Sequence, residues 1–519
     1  MLPLSHLHTG GWGALANELR VHILKELDAP DLLSCLRVDR AFKTLVDETP
    51  VLQYKLLLRA AGMRDGPPGG SSISQRLARL EGYESTWRAS NIPIREQSYG
   101  GDPESGGLFV TLDRDQHRLD IRRPASFFSG IPEKAWTVDL SELPEHGGPD
   151  MRRVRSYGYA VDIAQDLLVL MVLEDDGPDL EDRYPQCYVL SLSGNGATHP
   201  LAARRQLIYD ESCLDWSSVE ADIEIVGDLV GCTVLGSDVC MSVHNWKTGA
   251  MLWCDSEEGT EIIENHARCH ILDPTHVIKI SEYDLAVYRM AAKGGSTPGR
   301  LACNLGMPAF ADAFEVFHCG SYIQRPPQTP DCSPDFECDD GVTVLAVKYE
   351  ICHESRPWQD RAILVAVIPI TTILAQTRGA LPPSRSRPRQ RSWSEWGAHG
   401  ARLVLIPFNE TTCSADICAF GSRVAISLSF PFSRQPGVVD VAVLDVREGV
   451  KHARDGSDTK REGTASSRLL ALDRFTEDDT PFFARSVEAK MPYRMVRTRC
   501  DVTRSKSRVV SLLCDGLCA

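Results

Sequence analysis

The residues best suited to chemistry in this 519-residue chain are histidines, cysteines and carboxylates, and their spacing decides what they can do. His266-Ala267-Arg268-Cys269-His270 sets two histidines four apart. On a helix such a pair shares one face and can hold a metal, but no glutamate base lies between them as metalloproteases need, and the neighbourhood reads as strand. His353-Glu354-Ser355-Arg356 opens like a zinc motif and is broken by Pro357. The 17 cysteines include the near pairs Cys332/Cys338, Cys413/Cys418 and Cys514/Cys518, none with the two-residue gap of a zinc site. Cys35, Cys187, Cys232, Cys240 and Cys418 sit singly in or beside apolar stretches, so buried free thiols in a reducing compartment are the expectation. The phosphate-cradling G-x-x-x-x-G-K-[ST] loop and the G-x-S-x-G nucleophile elbow are absent from the sequence. Asn409-Glu410-Thr411 fits a glycosylation sequon, which is idle in the cytosol. Glycosidases work with paired carboxylates, and 71 acidic residues are too many to nominate a pair. The expectation is a non-catalytic protein with no metal and no cofactor.

Composition narrows the partners. The net charge is -15, and an acidic surface repels phosphate backbones, which argues against nucleic acid. Hydrophobic residues at 43% and charged residues at 24% are ordinary for a globular protein of two to four domains. The N-terminus, Met1-Leu2-Pro3-Leu4-Ser5-His6, lacks the basic and apolar regions of a secretory leader. The longest apolar runs, Val342–Val347 and Ala362–Ile368, are strand-sized, so no membrane span is expected. The expected location is cytoplasmic, nuclear or both.

The first 90 residues read as helices. Leu15, Leu19, Ile23 and Leu27 recur every four residues and so share one helix face. Asp28 can cap a second helix, with Pro30 in its first turn and Leu32, Leu33 and Leu36 on its apolar side. Phe42, Leu45 and Val46 mark a third. Thr49-Pro50 starts a fourth, and Gly62 stops it. Asp65–Ser72 is a loop, and Ile73, Leu77, Leu80 and Trp87 mark a fifth helix.

From about residue 95 the texture becomes short β-rich runs between Gly, Pro, Asp and Ser clusters. Paired runs start near 166, 228, 276, 342 and 423, and Val509–Leu513 closes the chain. Repeated strand pairs divided by polar turns are the sequence form of propeller blades, here roughly six to eight. The competing arrangement is a pair of β-sandwiches with irregular insertions. The expected fold class is α+β: a small N-terminal helical module followed by a large all-β, propeller-like domain. Expected boundaries are helices over 13–62, a linker helix region over 63–94 and the β domain over 95–519. Mobile insertions are expected near 377–400 and 447–467. The first carries Arg378, Arg385, Arg387 and Arg389 and reads as a solvated loop or a nuclear address.

A helical segment of about 45 residues buries too little apolar surface to stand alone, so some of its leucines need outside cover. In this light the segment resembles an F-box. Leu15, Glu18 and Leu19 match the opening of the family pattern, with Ala16 where the family has proline. Ile23, Leu24, Leu27 and Asp28 match next, then Asp31-Leu32-Leu33 and Arg37-Val38. Asp39 stands in place of the family's cysteine and Phe42 in place of its tryptophan. Downstream, Leu52-Gln53-Tyr54, Ala61-Gly62-Met63, Trp87-Arg88, Leu190-Ser191-Leu192, His199-Pro200-Leu201-Ala202 and Asn245-Trp246-Lys247-Thr248-Gly249 are similar to a large fungal group of F-box proteins. The resemblance implies docking onto a Skp-type adaptor, and through it a cullin, by Leu15, Leu19, Ile23, Leu27, Leu32, Leu33, Leu36, Val38 and Phe42. The implied function is the substrate receptor of an SCF-type ubiquitin ligase whose β domain binds an unidentified target protein. The alternatives are a non-degradative interaction scaffold and a propeller hydrolase.

Overall fold

The structure is a computed structural model. It describes residue 12 and residues 15–518, apart from 89–91, 96–101, 105–106, 114, 142, 144–149, 152–153, 175–185, 208–219, 236–238, 257–267, 292–298, 327–331, 357–360, 379–388, 408–413, 430–437, 448–472, 476–481, 502–510 and 514. His266 and Asn409 therefore lie outside the described residues, as do most of the two expected insertions.

Five helices come first: α1 (Asn17–Glu26), α2 (Ala29–Val38), α3 (Arg40–Asp47), α4 (Pro50–Ala61) and α5 (Ile73–Arg88). Their ends follow the local chemistry. The Asp28 carboxylate accepts the Asp31 N–H at 2.8 Å and caps α2. Gly62 ends α4 at φ 63°, a left-handed backbone that costs glycine nothing. Leu24, Leu32, Leu45, Val46 and Leu52 form a small core of the first four helices. Helix α4 turns its other side, Tyr54, Leu58 and Ala61, into a second core shared with α5 and the last β-sheet.

The rest is a six-bladed propeller. Each blade is built on four antiparallel strands taken in sequence order. The first blade spans Asp102–Glu104, Leu108–Asp113, Arg118–Arg123 and Lys134–Asp139, and the second Val154–Asp162, Leu167–Glu174, Gln186–Ser191 and Gln206–Leu207. The third comprises Glu220–Val226, Leu229–Leu235, Val239–Asn245 and Ala250–Ser256. The fourth comprises Arg268–Asp273, His276–Ile280, Asp284–Arg289 and Arg300–Gly306. Phe314–Tyr322, Val344–His353, Arg361–Pro369 and Arg402–Pro407 make the fifth; Ser414–Phe420, Arg423–Ser429, Val438–Asp445 and Arg494–Asp501 make the sixth. The first strands converge on the axis. A Cβ on Gly158 in blade 2 would lie 2.5 Å from the Ala221 carbonyl oxygen of blade 3, so only glycine allows that approach.

Packing between blades explains the strongly apolar middle strands. Along Arg361–Pro369, Ala362, Leu364, Ala366 and Ile368 enter the core shared with blade 4. Ile363, Val365 and Val367, pointing the other way, enter the core shared with blade 6. A strand buried on both faces loses polar alternation.

The four antiparallel strands of each blade follow one another along the chain, so no blade combines strands from the two ends and the ring closes by another device. Ile94–Arg95 pairs parallel with the terminal hairpin of Ser511–Leu513 and Gly516–Cys518. Asp515 accepts Ser126 Oγ at 2.7 Å and the Phe127 and Phe128 N–H groups of blade 1. Leu512 and Leu517 join α4, α5 and blade 6 in one core. Helices and hairpin thus fill the gap between the last blade and the first.

Parts of the expected loops and insertions carry placed elements. Part of the 377–400 insertion is ordered: Arg389–Arg391 adds a parallel fifth strand to blade 4, and α7 (Trp393–Gly400) follows α6 (Ile370–Thr377). Trp393 and Trp396 are buried, and Ser392 with Glu395 forms a capping box, so hydrophobic burial and capping hold a segment whose arginines suggested a loop. Arg447, the first residue of the second insertion, is also buried, held by carboxylates described below. The Asp65–Ser72 loop likewise begins on a strand, Met63–Asp65, paired with Phe336–Cys338 from blade 5.

Candidate functional site

Two regions present features suited to recognition: the outer face of α1 and α2, and the axial channel.

On α1, Leu19 and Ile23 lie four residues apart and are 54% and 43% exposed; on α2, Leu33 is 46% and Val38 is 78% exposed. These are four of the eight large apolar side chains exposed among the described residues, and all fall within twenty residues of chain. Of the other positions read from sequence, Leu15, Leu27, Leu36 and Phe42 are half-buried. Phe42 packs against Trp12 with tilted rings, centroids 4.8 Å apart. Leu32 is fully buried among the helices and acts as core. The nine residues therefore divide into an exposed set, a half-covered set and one interior residue.

The module is fixed to the propeller by charge as well as by apolar packing. Arg447 Nη1 donates to Glu84 Oε1 of α5 at 2.8 Å, and its Nε donates to Asp445 Oδ1 at 2.8 Å. Arg423 donates to the Tyr83 hydroxyl and lies 4.3 Å from the Trp87 ring centroid. All four charged groups are nearly fully buried. Burial works to raise the Asp445 carboxyl, but Arg423 and Arg447 outweigh it and hold the carboxyl below its usual range. Arg76 donates to Asp65 Oδ1 at 2.7 Å, and the Tyr54 hydroxyl donates to the Asp335 carbonyl at 2.9 Å, tying the linker to the blade 5 excursion.

In the first strands of blades 3 and 4, polar side chains alternate with core residues: Asp222 and Glu224 flank Ile223, and Arg268 and His270 flank Cys269. Glu224 of blade 3, His270 of blade 4 and Ser321 of blade 5 come together. His270 Nδ1 lies 3.3 Å from Glu224 Oε2, and His270 Nε2 lies 2.8 Å from Ser321 Oγ. The Ile271 N–H also donates to Glu224. Burial works to raise the Glu224 carboxyl; His270, Arg325 and the Ile271 N–H together hold it low. The order serine, histidine, carboxylate is that of an activated nucleophile. None of the three belongs to the cavity wall beside them, however, so their arrangement serves first as a tie among three blades.

That cavity, about 370 Å³, lies at the channel mouth on the face where first and second strands are joined. Leu108, Ile163, Ile225, Leu272, Ile370 and Leu374 supply apolar wall from the first four blades and α6. Asp162, Asp273, Asp340 and Arg325 supply charge. Burial works to raise the Asp273 carboxyl, yet hydrogen bonds from His276 and Thr275 bring it down to about 2. Sequence reasoning missed this region. The signal was the strict alternation in Glu220–Val226 (E-A-D-I-E-I-V), which marks a strand with one polar face.

The described cysteines are free thiols. Burial pushes Cys319 up to about 12 and Cys418 up to about 11, which suppresses their thiolates at neutral pH. Among the described residues no cluster of three or more metal-ligating side chains occurs, and no helix is long and apolar enough to cross a membrane.

No protein-family model matches the chain, and no curated protein matches it. Among solved structures, a puromycin hydrolase and a mutant of it complexed with PGG are similar. Each is 12% identical with a TM-score of 0.31, over 69% of this chain and 46% of the other. This chain thus spans less than half the length of those hydrolases. So slight a likeness says nothing of its activity.

Proposed function

We propose that the chain is a receptor that joins two proteins: an F-box-like helical module docks a Skp-type adaptor, and through it a cullin, while the propeller holds a target for ubiquitination. The observation that carries the reading is the exposed set Leu19, Ile23, Leu33 and Val38 on helices whose own core is already filled. Burying such side chains on a helical partner contributes on the order of 1 kcal/mol each. The residues that resemble the F-box pattern include these four. The proposed mechanism makes and breaks no bond. A rigidly mounted target raises the effective concentration of its lysines near the charged ubiquitin carrier. Such a receptor would work in the cytoplasm or nucleus, with proteins rather than nucleic acid or membrane as partners.

A propeller is consistent with an interaction scaffold in general, and the network that fixes α5 to blade 6 suits a scaffold equally well. Reconstituted ubiquitin transfer separates the two readings. Adaptor, cullin and this chain together should modify a bound target; a non-degradative scaffold binds the adaptor or the target and leaves it unmodified.

A further inference from the structure

We infer that the cavity at the channel mouth receives a basic-apolar segment of a target polypeptide, a large apolar side chain entering between Ile163, Leu272 and Leu374 with a lysine or arginine beside it at Asp340. The inference rests on the receptor reading for its biological context and on the cavity for its chemistry.

The volume, about 370 Å³, is at the lower end of ligand-sized pockets and suits a side chain or two rather than a folded element. Aliphatic side chains are the largest class in its walls, so an apolar tip suits it. The charges at the wall are three carboxylates against one guanidinium. That guanidinium is engaged: Arg325 Nη2 donates to the Ile271 and Leu272 carbonyls and Nη1 lies 4.0 Å from Glu224. Asp162 and Asp273 already accept hydrogen bonds from the turns that carry them. Asp340 differs. Its described ion-pair partner is Arg64 Nη1 at 4.0 Å, a long contact, and its side chain is half exposed, so the carboxylate is open to a second partner. A cation arriving beside Asp340 meets that open carboxylate, and an anion is repelled by all three carboxylates. The chain's net charge of -15 favours the same sign of partner. Asp340 follows the strand Phe336–Cys338 that pairs with Met63–Asp65, so this wall is joined directly to the helical module.

The test is fluorescence anisotropy with the full chain and three labelled heptapeptides: Ala-Ala-Lys-Leu-Lys-Ala-Ala, the same with both Lys replaced by Glu, and the same with Leu replaced by Ser. The Lys/Leu peptide should bind at least tenfold tighter than either control. Asp340→Lys and Leu374→Glu should each weaken it at least tenfold, with the thermal midpoint checked for each variant. Equal binding of the three peptides, no binding of any, or unchanged affinity in both variants overturns the inference. Adaptor binding is measured separately on the same samples. Peptide selectivity without adaptor binding upholds the pocket and removes the receptor reading, and adaptor binding without peptide selectivity does the reverse.

Discussion

Arg447 Nη1 and Glu84 Oε1 lie 2.8 Å apart, joining blade 6 to α5 across 363 residues of sequence. With Asp445 and Arg423 they make a buried set of two cations and two anions. Removing one member leaves a buried charge uncompensated, at a cost of about 3–5 kcal/mol. Arg447→Met should therefore lower the denaturant midpoint sharply, and Glu84→Gln added to it should restore part of the loss. An unchanged midpoint in Arg447→Met would show that the network does not hold the helices.

Ring closure depends on the terminal hairpin. Asp515 accepts three groups of blade 1, so Asp515→Ala removes the acceptor they share, at about 1–3 kcal/mol. Leu517→Asp should cost more, because it places a charge in the core shared by helices, hairpin and blade 6. Limited proteolysis of both variants should cut between blades 6 and 1 first. Cleavage elsewhere would place the weak point of the ring in another interface.

Acid sensitivity should trace partly to His244 on the third strand of blade 3. Burial pushes its imidazole from 6.5 down to about 4. Between those values the unfolded chain binds a proton that the folded chain excludes, so stability rises with pH and is lost as pH falls from about 6.5 toward 4. The span corresponds to roughly 3 kcal/mol. A His244→Gln variant should show a flatter stability profile between pH 7 and 4.5. A profile parallel to that of the parent would remove His244 from the account.

The channel arrangement of Ser321, His270 and Glu224 should behave as a structural tie. Ser321→Ala and His270→Phe are expected to lower the thermal midpoint, and a fluorophosphonate probe should leave Ser321 unlabelled. Labelling lost in Ser321→Ala would instead reveal an activated nucleophile and favour the hydrolase alternative.

The five strand pairs legible in the sequence are the second and third strands of blades 2 to 6. Such strands are most legible where both faces are buried, as Ile363 and Leu364 of blade 5 show by entering different cores, and fainter in blade 4, where Asp284–Arg289 alternates buried with half-buried residues. First strands were illegible because Asp222, Glu224, Arg268 and His270 alternate with core residues, and blade 1 because its central strands carry Asp113, Arg118, Asp120, Arg122 and Arg123. The starts of the pairs drift because blade 5 holds long excursions between its strands, which hid the count of six. Helix ends were legible because capping is local: Asp28, Pro50 and Gly62 act within a few residues. The exposed half of the docking face was not separable from Leu32. Apolar spacing places a residue on a face, and only tertiary packing decides which side of α2 is covered. The cavity was illegible because its walls come from five blades.

The central claim is that Leu19, Ile23, Leu33 and Val38 await a helical partner. Isothermal titration of the full chain with a purified Skp-type adaptor tests it most directly, comparing the parent with Leu19→Asp/Leu33→Asp. Both side chains are exposed, so the variant should keep its thermal midpoint while losing at least ~30-fold in affinity, about 2 kcal/mol. Absence of binding by the parent chain, or equal binding by the variant, would contradict the account.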